Sequence, residues 1–173
     1  MTADYSFPTE AFNDLLVANR KFSSGFQYSE LTGTALKGLA IVTCMDSRIS
    51  PLAAVGMQAG DAKILRNAGA RVTDDVLRTL VLASYLLGVV RVLVMPHTDC
   101  RMATADEDAI HATINDQFGV DTSSLEFRTV SNQRKALAED VARIRAYPLL
   151  QKGVSVAGAI YNVSTGQIEP VDC

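Results

Sequence analysis

The chain has 173 residues, with 16 Lys and Arg against 19 Asp and Glu and a net charge of −3. At ~150 residues per domain this length predicts one domain, and 48% hydrophobic with 20% charged residues is globular usage that excludes a disordered chain. So small a charge supplies no global field to draw nucleic acid or an anionic membrane, and neither is an expected partner.

The N-terminus, Met1-Thr2-Ala3-Asp4-Tyr5, has no basic region followed by an apolar one, so no signal peptide is read. Three cysteines are too few, and odd in number, for a secreted disulfide framework. They point to a reducing compartment, the cytoplasm, where thiols stay free for metal or chemistry. Residues 7–22 read as a first helix, with Phe12, Leu15, Leu16, Asn19 and Phe22 near one face. Residues 23–38 are rich in Ser, Thr and Gly and read as a loop. Residues 1–38 are thus an arm, whose apolar stripe packs either on its own domain or on a second subunit.

Leu39-Ala40-Ile41-Val42-Thr43 fits a strand buried on both faces, and 62–66 is a less apolar strand. Residues 72–87 form a helix with Thr73 or Asp74 as cap, Asp75 in its first turn and Gly88 just past its end. The apolar stretch 79–90 is too short for a bilayer, which takes ~20 residues. A second strongly apolar strand, 89–95, stops at Pro96. Residues 104–118 form a helix with Asp106, Glu107 and Asp108 near its start and Gly119 at its stop, and 132–147 a helix ended by Pro148. Strands 154–161 and 167–171 flank Asn162-Val163-Ser164-Thr165-Gly166, a hairpin signal. Strands alternating with helices predict an α/β three-layer sandwich over 39–173. Its sheet is mostly parallel, with the terminal hairpin adding an antiparallel edge strand. Ligands of such sheets bind beyond the carboxyl ends of the strands.

Cys44 lies at one of those ends. His97 follows another, with Cys100 three residues on, so one short loop offers an imidazole and a thiol to a single ion. Two thiolates and one imidazole form a zinc set that leaves a fourth position open, as catalytic zinc sites do, while sulfur disfavours Mg²⁺, Ca²⁺ and Mn²⁺. The competing reading is two buried thiols with no ligand. Cys44-Met45-Asp46-Ser47-Arg48 adds a carboxylate that Arg48 can hold by a bidentate pair.

Three segments, Cys44-Met45-Asp46-Ser47-Arg48-Ile49, Arg66-Asn67-Ala68-Gly69 and His97-Thr98-Asp99-Cys100, resemble in order and separation the signatures of the β-class carbonic anhydrases, short form. The resemblance runs from about Leu39 to Met102. It implies that Cys44, His97 and Cys100 are zinc ligands. Asp46 would be the residue that either takes the fourth position itself or pairs with Arg48 and accepts a hydrogen bond at the metal. Ala68 and Gly69 would line the substrate pocket. It also implies reversible hydration of CO2 to bicarbonate by zinc-bound hydroxide, and a homodimer or an assembly of dimers with the N-terminal helix crossing onto the partner.

Two positions depart from the pattern. Arg101 stands where the family has Gly after the second cysteine and is a candidate gate that would lower turnover. Thr34-Ala35-Leu36-Lys37 occupies the stretch where members often carry a Gln that bonds substrate. Two alternatives stay open: a hydrolase of COS or CS2 on the same site, and a zinc-binding scaffold or sensor with blocked catalysis.

Overall fold

The computed structural model describes residues 6–173. Residues 1–5, whose composition was read for a leader, lie outside the described residues. The chain divides into two units, one ending at Thr32 and one spanning Gly33–Cys173.

The first unit is built on helix α1 (Thr9–Ser24), which runs two residues beyond its expected end. Ser23 and Ser24 turn their hydroxyls back onto the Arg20 and Lys21 carbonyls there. No residue of α1 is buried. Its apolar side chains touch one another instead, with ring centroids 5.5 Å apart for Phe7 and Phe12 and 5.7 Å for Phe22 and Phe26.

The second unit is organised by β1 (Leu39–Cys44), whose six residues are all buried, as an apolar run without alternation demands. It pairs in parallel with β2 (Ala62–Asn67) on one side and β3 (Arg91–Met95) on the other. β3 pairs in parallel with β4 (Ser155–Tyr161), and β5 (Ile168–Val171) closes the edge antiparallel to β4. The order is β2-β1-β3-β4-β5, the mostly parallel sheet with one antiparallel edge strand that the sequence predicts. Asn162 builds the hairpin: its side chain accepts the Ser164 and Thr165 N–H groups, and Gly166 follows at φ 74°.

One face of the sheet, carrying Ala40, Val42, Val92 and Val94, packs under α3 (Asp74–Leu86) and α6 (Gln133–Arg145). The other face holds a smaller cluster of Ile41, Ile49, Met95, Cys44 and Cys100, against which Val55 and Met102 pack. Caps set the helix starts. Thr73 accepts from Val76 N–H, Asn132 from Lys135 N–H, and Asp106 from the Asp108 and Ala109 N–H groups of α5 (Glu107–Phe118).

The expected helix 104–118 is therefore corrected. Asp106 caps only in an extended conformation (ψ 142°), which breaks the chain from the separate turn α4 (Arg101–Thr104) before it. The one-turn helix α2 (Pro51–Ala54) went unread, being too short to show a period. Among the described residues no helix is long and apolar enough to cross a membrane.

Candidate metal centre

The parallel strands bring their carboxyl ends together, and the chemistry gathers there. Cys44 is the last residue of β1. Beyond β3, Pro96 and His97 continue alongside β4: Tyr161 N–H donates to the Pro96 carbonyl at 2.9 Å and Thr98 N–H to the Tyr161 carbonyl at 2.9 Å. Asp99 then takes a left-handed conformation (φ 55°), which reverses the loop so that Cys100, the cap of α4, turns back toward His97. The ligand atoms of Cys44, His97 and Cys100 all lie within 4.8 Å of one another, and all three residues are buried.

His97 distinguishes a metal set from two buried thiols. Its Nδ1 lies 2.8 Å from the Thr98 carbonyl, which can only accept, so Nδ1 carries the proton. Its Nε2 then presents a lone pair into the cluster, and it is a fully buried polar atom with no hydrogen-bond partner. Such an atom is costly unless something fills the gap. A divalent ion between two sulfurs and this nitrogen answers that demand, so the donors fit zinc.

Backbone amides tune the sulfurs. The Cys44 thiol is lowered well below the usual thiol range, chiefly by the hydrogen bond with Cys100. His97 and the Gly69 and Asp46 N–H groups assist this, while burial opposes it. Cys100 is raised because it keeps the proton the two sulfurs share, and burial adds to that. Burial also opposes charge on His97, but the Cys44 sulfur, the Thr98 carbonyl and the Asp46 carboxylate outweigh it and raise the imidazole.

Asp46 stands beside the cluster, with Oδ2 3.7 Å from His97 Nε2. Arg48 grips it twice, Nε to Oδ1 at 3.0 Å and Nη2 to Oδ2 at 2.7 Å, and adds its backbone N–H to Oδ1 at 2.9 Å. Those bonds hold the Asp46 carboxyl well below the usual carboxylate range. The other side of the guanidinium is bonded to Asp99.

Three contributors had no role in the sequence reading. Arg66 sends Nε to the Cys44 carbonyl at 2.8 Å, Nη2 to the Asp46 carbonyl at 2.5 Å and Nη1 to the Ile49 carbonyl at 3.3 Å, fixing the loop that leaves β1. Gln133 Nε2 donates to the His97 carbonyl at 2.8 Å. Asp99 bonds Arg48. The only available signal was position, because Arg66 and Asp99 lie inside the segments already singled out.

Gly69 and Ala68 each line a cavity. Gly69 and Cys100 line a cavity of about 10 Å³, walled by Val94, Pro96, Met102 and Leu137, with space for roughly one water. Ala68 lines a different, open cavity with Arg66, Asn67 and Arg128. The chain turns at Gly69 (φ 77°), where a Cβ would lie 3.0 Å from that of Met102, so only glycine fits without a shift. Arg101 is exposed and is not part of the wall near Cys100. The 34–37 stretch sits at the start of β1, bonded to the Leu87, Gly60 and Asp61 carbonyls, a full strand length from Cys44. His111, half-buried on α5, has its Nδ1 2.9 Å from Thr122 Oγ1 and its ring 5.1 Å from that of Phe127.

Comparison with known proteins gives the family. Residues 39–168 match the family model described as carbonic anhydrase. The chain is 34% identical over 160 residues to β-carbonic anhydrase 1 of Mycobacterium tuberculosis, covering 92% of this chain and 96% of that protein. It is 29% identical over 152 residues to a carbon disulfide hydrolase of Acidithiobacillus thiooxidans, covering 76% of each. The crystal structure of a carbonic anhydrase from Streptococcus mutans superposes with a TM-score of 0.87 at 34% identity, covering 99% of this chain and 100% of that one. The chain belongs to the β-carbonic anhydrase family.

Proposed function

We propose that Cys44, His97 and Cys100 hold the zinc ion with which this carbonic anhydrase interconverts CO2 and bicarbonate, and that Asp46 and Arg48 complete the site. The observation that carries the assignment is the orphaned His97 Nε2, buried within 4.8 Å of two thiols. Bound zinc supplies a Lewis acid that lowers the pKa of water from ~15.7 toward neutrality, so that a nucleophile exists at ordinary pH.

The chain's own residues do the rest. The Thr98 carbonyl fixes the proton on His97 Nδ1 and leaves Nε2 free to ligate. The Gly69 and Asp46 N–H groups steady the Cys44 thiolate. Asp46, kept ionised by Arg48, is an acceptor only. It therefore takes a hydrogen bond from the attacking oxygen and turns that oxygen's lone pair toward the carbon of CO2. In the reverse direction the same carboxylate accepts from the hydroxyl of bicarbonate. Further proposals are that the arm and the α/β unit serve as one functional domain, that two copies associate through the arm, and that the protein works in the cytoplasm.

Zinc analysis and stopped-flow CO2 hydration test the assignment together. The parent chain is expected to carry one zinc per chain and to hydrate CO2. Cys100→Ser is expected to lose zinc and the reaction together. Asp46→Asn is expected to keep zinc and lose on the order of 10²-fold in turnover. Zinc retained in full by Cys100→Ser would refute the ligand set. Sulfide release from COS or CS2, faster than CO2 hydration by the same preparation, would move the activity to those gases.

A further inference from the structure

Arg48 has two carboxylate partners. Asp46 takes Nε and Nη2, while Asp99 takes Nη1 through Oδ2 at 2.7 Å and Nη2 through its backbone carbonyl at 3.1 Å. Asp99 is the residue between His97 and Cys100 on which the loop reverses, at φ 55°. The guanidinium therefore ties the segment that leaves β1, with Cys44 and Asp46, to the loop that leaves β3, with His97 and Cys100.

The tie is oriented. The Asp46 carboxylate, 19% exposed, faces the cluster with Oδ2 3.7 Å from His97 Nε2, whereas Asp99, 76% exposed, lies on the solvent side of Arg48. A long flexible Arg gripped from one side only is free to swing out, because its side-chain entropy favours release. Once it swings out, Asp46 loses both charged bonds. The nearest site that welcomes an unpaired carboxylate is then a divalent cation among the three donors beside it.

We propose that Asp99 is a positioning residue: by holding Arg48 from the solvent side, it keeps Asp46 on Arg48 and away from the metal, so that the fourth coordination position stays open to exogenous ligands. The effect runs through Arg48, since Asp99 itself points away from the cluster. The inference rests on the metal assignment above.

The test compares the parent chain with Asp99→Gly and Asp99→Asn. Gly tolerates φ 55° and removes the carboxylate, while Asn also tolerates that conformation and keeps an oxygen for Arg48. Each protein is loaded with zinc for metal analysis. Each is also substituted with cobalt(II) for thiocyanate titration, followed by visible absorption. Both variants are expected to bind one metal per chain. Thiocyanate is expected to bind the cobalt form of Asp99→Gly roughly two- to fivefold more weakly than the parent, the size an exposed charged pair gives. Asp99→Asn is expected to recover part of that loss.

A merely structural role would lower metal content or melting temperature but leave the thiocyanate affinity of the loaded protein alone. Equal affinity in a fully loaded Asp99→Gly overturns the proposal, as does loss of metal from both variants or no recovery by Asn. A parent chain without stoichiometric metal would instead sink the ligand assignment, and this inference with it.

Discussion

Arg66 shows how one side chain can hold a site it does not enter. Its three N–H groups reach three carbonyls on the loop that begins at Cys44, so the loop's acceptors are satisfied without secondary structure. Removing it as Arg66→Met leaves those carbonyls to water, at an expected cost of about 1–2 kcal/mol, and frees the backbone on both sides of Asp46. The zinc-loaded variant is expected to melt about 2–8 °C below the parent in a calorimetric scan, and to release zinc faster to a chelator. Arg66→Lys is expected to recover only part, because a point charge cannot span three acceptors. A parent-like zinc release rate would show that the loop holds its shape unaided. Cys44, His97 and Cys100 stood out in the sequence because each follows an apolar strand, His97 and Cys100 share one short loop, and the segments around them resemble the signatures of a known family. The Arg66 clamp did not, since its acceptors lie 17 to 22 residues away and are backbone atoms that any sequence would offer.

Elements divide in the same way. β1 and β3 were readable because burial on both faces leaves an unbroken apolar run. The starts of α3 and α6 were readable to within a residue or two because Thr73 and Asn132 cap them. The break before α5 was not, because residues 101–118 have adequate helix propensity throughout and only the competition between continuing the helix and capping at Asp106 decides it. Glu107, in the first turn of α5, has a tertiary task that propensity does not reveal. Its Oε1 accepts the Phe127 N–H at 2.6 Å and its Oε2 the Thr129 N–H at 3.2 Å, pinning the irregular segment that follows α5. Those bonds, the Phe127 N–H first, lower its pKa below the ordinary Glu value. A group depressed by folding stabilises the fold in full above its unfolded pKa of ~4.3 and loses that contribution as pH falls through its lower folded value. Glu107→Gln is therefore expected to melt a few degrees below the parent at pH 7, and the gap is expected to close as the pH drops below about 4. A gap that stays constant between pH 7 and pH 3 would mean that shape rather than charge at this position matters.

At the scale of the whole molecule, the arm carries apolar side chains that its own helix does not cover. α1 buries no residue, and Phe7, Leu15 and Phe22 are each more than half exposed. Fully burying side chains of this size is worth ~1.5–3 kcal/mol each, and contiguous apolar surface of this kind marks an interaction site. The three candidate metal ligands come from Gly33–Cys173. The arm's length and amphipathic pattern suit a helix laid against a second copy, and symmetric pairing would bury two such stripes at once. Light scattering on the zinc-loaded protein is expected to give twice the 18.6 kDa of one chain. The double variant Leu15→Glu, Phe22→Glu is expected to shift that mass toward the monomer at micromolar concentration while keeping one zinc per chain. Glutamates placed in a buried interface would be charges without partners, whereas on a free surface they would change nothing, so a dimer that survives both substitutions would place the interface elsewhere on the molecule.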